Sequence, residues 1–316
     1  MTTPRSYIII ILLFISSWCI HCDKNSTEPE PERKQYQWIS GIPFLIENEK
    51  IKHDDHILET DNFLTFSDAS SDEIKIIYSQ MAEGAFAEIK QAFEIQSSEE
   101  LGIFSDNRST KITIFSDRYL NHSNMAFPIG FLLIALDSPS ASSWFGGDQS
   151  QLRAWYQRNV KHETMHVMQW LFGLDWNSRW PWLQRWGRTW PEFWFSEGIA
   201  EYISGGTFSP IETIDQVNAW CENPQHINPI SIHRSTDAPV PDSQIGEYYP
   251  MFGLAIRYLL DENGLGKTFI DIKKMYLDMR KTVSFQVSFE KFMGISVNYY
   301  EAHFFELIAD FLPGSN

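Results

Sequence analysis

Two short stretches hold residues that could do chemistry together: KHETMHVMQW at 161–170 and WFSEGIAEY at 194–202. In the first, His162 and His166 are one helical turn apart. On a helix both imidazoles then face the same way and can converge on one ion. A catalytic zinc takes three protein ligands and keeps a fourth position for water, so this pair supplies two of the three. Glu163 follows the first histidine directly, within reach of a proton on that water, whose pKa zinc lowers to about 7. In the second stretch Glu197 and Glu201 are also one turn apart, in an aromatic and apolar surround where an unpaired carboxylate is costly. Metal or histidine partners would satisfy both.

Taken together, the two stretches resemble the gluzincin metallopeptidases, in which H-E-x-x-H is followed by a glutamate on a later helix. WFSEGIAEYISGGT is similar to the tryptophan, Glu-Gly, Ala-Glu-aromatic segment of the bacterial collagenase-type catalytic domain. The resemblance runs over about 60–316 in layout, and 162–166 with 194–202 are its specific parts. It implies that Glu197 is the third zinc ligand and that Glu201 holds His162 through its other ring nitrogen, fixing tautomer and orientation. It also implies a strand that borders the cleft ahead of the zinc helix and binds an extended peptide by strand addition. GFLLIALD (130–137) is the candidate, and its continuous apolar run fits a buried central strand equally well. Family members often carry an oxyanion-stabilising tyrosine before a later helix. EYYPMFGLAIRYLL offers Tyr248 and Tyr249, with Tyr249 preferred because it directly precedes Pro250, and His233 is a rival donor.

Several elements must position these groups. DNFLTFS (61–67) alternates weakly as a strand, and 71–95 carries apolar residues at helical spacing behind a Ser/Asp cap. KITIFS (111–116) and GFLLIAL (130–136) are short and β-rich. From Gln151 the pattern turns helical: one helix ends at Gly173, a second runs from Pro191 to paired glycines, and others follow near 249–264, 269–281 and 299–311. The predicted class is α+β: a gluzincin-like two-lobed domain with a small mixed sheet, helices above the zinc helix and a mainly helical C-terminal lobe. No repeat of fixed period occurs, so 41–316 reads as one catalytic domain, with an N-terminal lobe to about 175 and a helical lobe over about 190–316.

Composition narrows the function. The chain has 316 residues, 43% of them hydrophobic, which is enough for a substantial core, and a formal charge of −16 with no basic cluster, which argues against nucleic acid. MTTPRSYIIIILLFISSWCIHC has the layout of a secretory signal over 1–22. It resembles a lipoprotein signal ending at Cys22, although Cys19, Ile20 and His21 depart from the usual pattern. The polar, Pro-rich 23–40 reads as a disordered tether. Once Cys19 and Cys22 are set aside, Cys221 is the one ordinary thiol, so no disulfide framework is expected. The protein is thus expected in a bacterial cell envelope, lipid-anchored or in the periplasm or medium, with membrane contact only through an N-terminal anchor. Trp176, Trp180, Trp182, Trp186, Trp190 and Trp194, interleaved with Arg179, Arg185 and Arg188, form a local core, a substrate-gripping surface or a membrane-interface patch. The expected function is zinc-dependent hydrolysis of peptides or proteins, with Glu163 as general base. The alternatives are a non-catalytic surface lipoprotein or binding protein on the same scaffold, and a zinc hydrolase of a non-peptide bond.

Overall fold

The computed structural model describes residues 57–67, 72–96, 100, 112–117, 125–127, 131–135, 148–173, 191–206, 209–233, 237, 242–282 and 284–314. All of them belong to one compact unit, Trp38–Asn316. The expected signal (1–22) and tether (23–40), and the tryptophans from Trp176 to Trp190 with their arginines, lie outside the described residues.

The chain order is β1 (Ile57–Glu59), β2 (Phe63–Ser67), α1 (Asp72–Ala92), β3 (Ile112–Asp117), β4 (Met125–Phe127), β5 (Phe131–Ala135) and α2 (Gln149–Gly173). Then follow α3 (Phe193–Ser204), α4 (Ile214–Cys221), α5 (Tyr249–Leu260), α6 (Phe269–Thr282), α7 (Phe285–Met293) and α8 (Val297–Phe311). Short 3-10 helices at Pro229–Ser231 and Asp242–Tyr248 lead into α5. The strands align as β1-β2-β3-β5-β4. β2, β3 and β5 are parallel, while β1 and β4 run antiparallel to their neighbours. β5, within the candidate cleft strand 130–137, pairs with β3 on one side and β4 on the other, so it is internal and β4 forms that edge.

The α+β expectation needs correction: the described fold is predominantly helical. The strands are only three to six residues long, and Phe63 of β2 belongs to the core. The reason lies in the distribution of large apolar side chains. α2, α3 and α5 are rich in them on more than one face and bury one another, so among the described residues the core is built by helices.

α2 begins at a clear cap: the Asp148 carboxylate accepts from the backbone N–H of Ser150 (2.9 Å) and Gln151 (3.2 Å). Farther along, residues 162–169 are all buried. α3 stops where Gly205 and Gly206 turn to positive φ (79° and 83°), and their N–H groups reach back to Tyr202 O and Glu201 O. Its first turn is held by an aromatic box in which Trp194 meets Phe195, Phe285, Phe289 and Tyr300. The indole N–H donates to Glu192 at 2.8 Å. Burying each such ring stabilises the fold by roughly 1.5–3 kcal/mol, which fixes where α3 starts.

Contact between α3 and α5 depends on Gly198. A Cβ there would sit 2.5 Å from Phe252 O and 2.8 Å from Ile256 Cγ1, so the helices meet at near-backbone distance. On the facing side Gly253 lies against Glu201, whose Cγ is 3.3 Å from where a Cβ would be. This crossing sets the first turn of α5 beside residues 197–201.

Candidate metal centre

The buried segment of α2 presents His162 and His166 toward α3, and α3 answers with Glu197 and Glu201. His162 Nε2 and His166 Nε2 are 3.2 Å apart, and Glu197 Oε2 lies 3.3 Å from the first and 3.2 Å from the second. One ligand atom from each of the three residues falls within 4.8 Å of the others. The geometry therefore brings His162, His166 and Glu197 together.

The outer faces of both rings are engaged. His162 Nδ1 lies 3.4 Å from Glu201 Oε2, an ion-pair distance without hydrogen-bond geometry, so Glu201 is the carboxylate placed nearest that nitrogen. His166 Nδ1 is 3.0 Å from Gln169 Oε1, an acceptor. With a metal bound, both Nε2 atoms would turn their lone pairs to the point that Glu197 Oε2 also faces; without one, protons on these nitrogens hold the three groups together. Three acceptors converging at hydrogen-bond distance repel one another unless a cation sits among them. Two imidazoles and a carboxylate are a donor set that could hold a metal ion.

The ionisation behaviour agrees with this demand for positive charge. Burial alone pushes both histidines down, but the hydrogen bonds to Glu197 and Glu201 and the charge of Glu163 raise His162 from 6.5 to about 10. His166 is likewise raised against its burial, chiefly by Glu197. Glu197 is pushed up by burial, yet the charges of and hydrogen bonds from His166 and His162 hold it far below the ordinary carboxylate range. A pH dependence follows for chelator-treated protein, in which protons must supply the charge. The stabilisation from the raised His162 is complete below pH 6.5 and is lost as pH rises through about 10. Melting temperature with chelator should fall across that window, while the gain on adding zinc grows, because a zinc-loaded ring has no proton to lose. Equal gains at pH 6 and pH 9.5 in calorimetry would contradict the assignment.

Glu163 is buried beside the group, and its charge acts on His162, His166 and Tyr249. Of the two candidate tyrosines the structure brings one to the site. Tyr249 stacks on His162 with ring centroids 5.8 Å apart, near enough to Glu197 for that carboxylate to act on its phenol. Burial, then the charges of Glu197, Glu163 and Glu201, keep its phenol protonated well above the ordinary range. Tyr248 turns away: it is fully buried against Phe252, Trp220 and His226, and its hydroxyl accepts from Ile227 N–H at 3.2 Å. His233 is paired elsewhere, with Glu192 at 3.0 Å and Glu301 at 3.6 Å.

Sequence reasoning missed Gln169 and Ser196, which stand beside His166 and Glu197. The available signal was an amide one turn beyond His166 in an otherwise apolar run, where an unsatisfied polar group is costly. No family model matches the chain, and no curated protein matches it.

Proposed function

We propose that this chain is a zinc-dependent peptidase of gluzincin type, with His162, His166 and Glu197 as metal ligands and Glu163 as general base. The observation that carries this reading is the convergence of two imidazole lone pairs and one carboxylate beside a buried, non-ligating glutamate. A binding protein would need the first three and has no use for the fourth. The motif-level resemblance to gluzincins supports peptides as the substrate class.

Zinc at this donor set would supply Lewis acidity and a water that ionises near neutral pH. Glu163 takes the proton from the attacking water and delivers it to the leaving amine as the C–N bond breaks. Gln169 keeps His166 in the tautomer that offers Nε2, and Glu201, at ion-pair distance from His162 Nδ1, favours the same for His162. Tyr249, protonated at any physiological pH, donates its O–H to the oxyanion as negative charge develops there.

The direct test incubates the purified protein with a mixed peptide library, with and without a chelator. Chelator-sensitive cleavage restored by zinc is expected, and cleavage indifferent to the chelator would defeat the proposal. A sharper expectation separates the tyrosines. Tyr249→Phe should lower kcat by roughly a hundredfold with little change in KM or zinc content, the cost of one oxyanion donor used in the transition state. Tyr248→Phe should turn over almost as wild type, so equal losses in the two variants would remove Tyr249 from this role.

A further inference from the structure

Gln169 is 1% exposed, surrounded by apolar residues of α2, and every one of its polar atoms is in use. Its Nε2 donates to the backbone carbonyl of Ser196 at 2.9 Å, and its Oε1 accepts from Ser196 Oγ at 2.7 Å. A carbonyl can only accept, so the amide nitrogen must face Ser196 O and the amide has a single allowed orientation. Oε1 is therefore the atom that meets His166 Nδ1 at 3.0 Å, and that nitrogen must be the protonated one. An apolar side chain of the same length would pack in this core without needing partners, and a buried amide calls for an explanation beyond packing.

The partner residue supplies it. Ser196 immediately precedes Glu197, so the hydrogen bonds that orient His166 on α2 also anchor the backbone that carries the third ligand on α3. Glu201 holds only the first histidine, and it does so with a charge. We propose that Gln169 is a positioning residue for the metal centre: through one neutral amide it sets the tautomer of His166 and locks Glu197 into register with it, so that the ligand set is assembled before metal arrives. This inference rests on the metal reading above.

The experiment measures zinc affinity of the full chain by competition with a chromophoric chelator, alongside the visible spectrum of the cobalt-substituted protein. Gln169→Met, which keeps length and removes both polar atoms, should weaken zinc binding by about 10- to 100-fold, the usual effect of removing a partner that orients a ligand. It should also broaden and weaken the cobalt bands. Gln169→Glu keeps an acceptor for His166 but loses the donor to Ser196 O, and should recover part of the lost affinity. A role in packing alone predicts the opposite order, since Met suits an apolar core better than a carboxylate does. Wild-type affinity in Gln169→Met, or equal weakness in the Met and Glu variants, would overturn the inference. Should Gln169→Met not fold, Gln169→Asn, whose amide is too short to reach both partners, is expected to show the same loss, and unchanged affinity there would overturn it equally. Failure of the wild-type protein to bind zinc at all would instead strike the metal reading itself.

Discussion

Glu163→Gln is expected to bind zinc as wild type does and to lose turnover by about 10²- to 10⁴-fold, the range for a general acid or base. The amide keeps the shape of a buried side chain that is no part of the converging ligand set, so neither fold nor metal content should change. What disappears is the ability to take a proton from water and return it to the leaving group. Loss of both zinc and activity would mean that Glu163 supports the metal and is not the base. Unchanged activity would move the base to another residue.

Glu197→Ala should have the largest effect on the metal. It removes the one carboxylate of the converging group and leaves two imidazoles whose Nε2 atoms are 3.2 Å apart with nothing between them but protons. Zinc content after dialysis should drop from about one per chain to a small residue. The chelated variant should also lose most of the pH dependence of stability over pH 6.5–10, because the main partner raising His162 has gone. Retention of stoichiometric zinc in this variant would show that Glu197 is not a ligand.

Much of the site was legible because its logic is local. His162, Glu163 and His166 lie within one turn of α2, and Glu197 and Glu201 within one turn of α3, so helical periodicity alone predicts which of them share a face. The paired glycines that end α3 were equally readable, since both adopt the positive φ that glycine accepts most easily. Gln169 escaped notice because its role depends on a residue 27 positions away, Ser196, that no local pattern connects to it. The choice between Tyr248 and Tyr249 turns on a single residue at a helix start, where neighbours point about 100° apart. Only the crossing permitted by Gly198 shows which of them faces the ligands.

The weight given to the sheet was misjudged for a related reason. Runs such as GFLLIAL do form a strand, but strand formation says nothing about whether the sheet or the helices supply the core. Here aromatic residues on α3, α5, α7 and α8 pack against one another, and the fold is helical. The short helices α4 and α7 were missed as well. Eight and nine residues give a periodic pattern too few repeats, and their caps, Thr213 with Gln216 and Ser284, carry the signal.

The central claim, that one metal ion is held by two imidazoles and a carboxylate, is tested most directly by X-ray absorption at the zinc edge on the full chain loaded with one equivalent of zinc. The account predicts one retained ion per chain with two nitrogen scatterers at about 2.0–2.1 Å and oxygen at about 2.0–2.2 Å, and no sulfur near 2.3 Å. A spectrum dominated by sulfur, or one matching zinc in buffer, would contradict it.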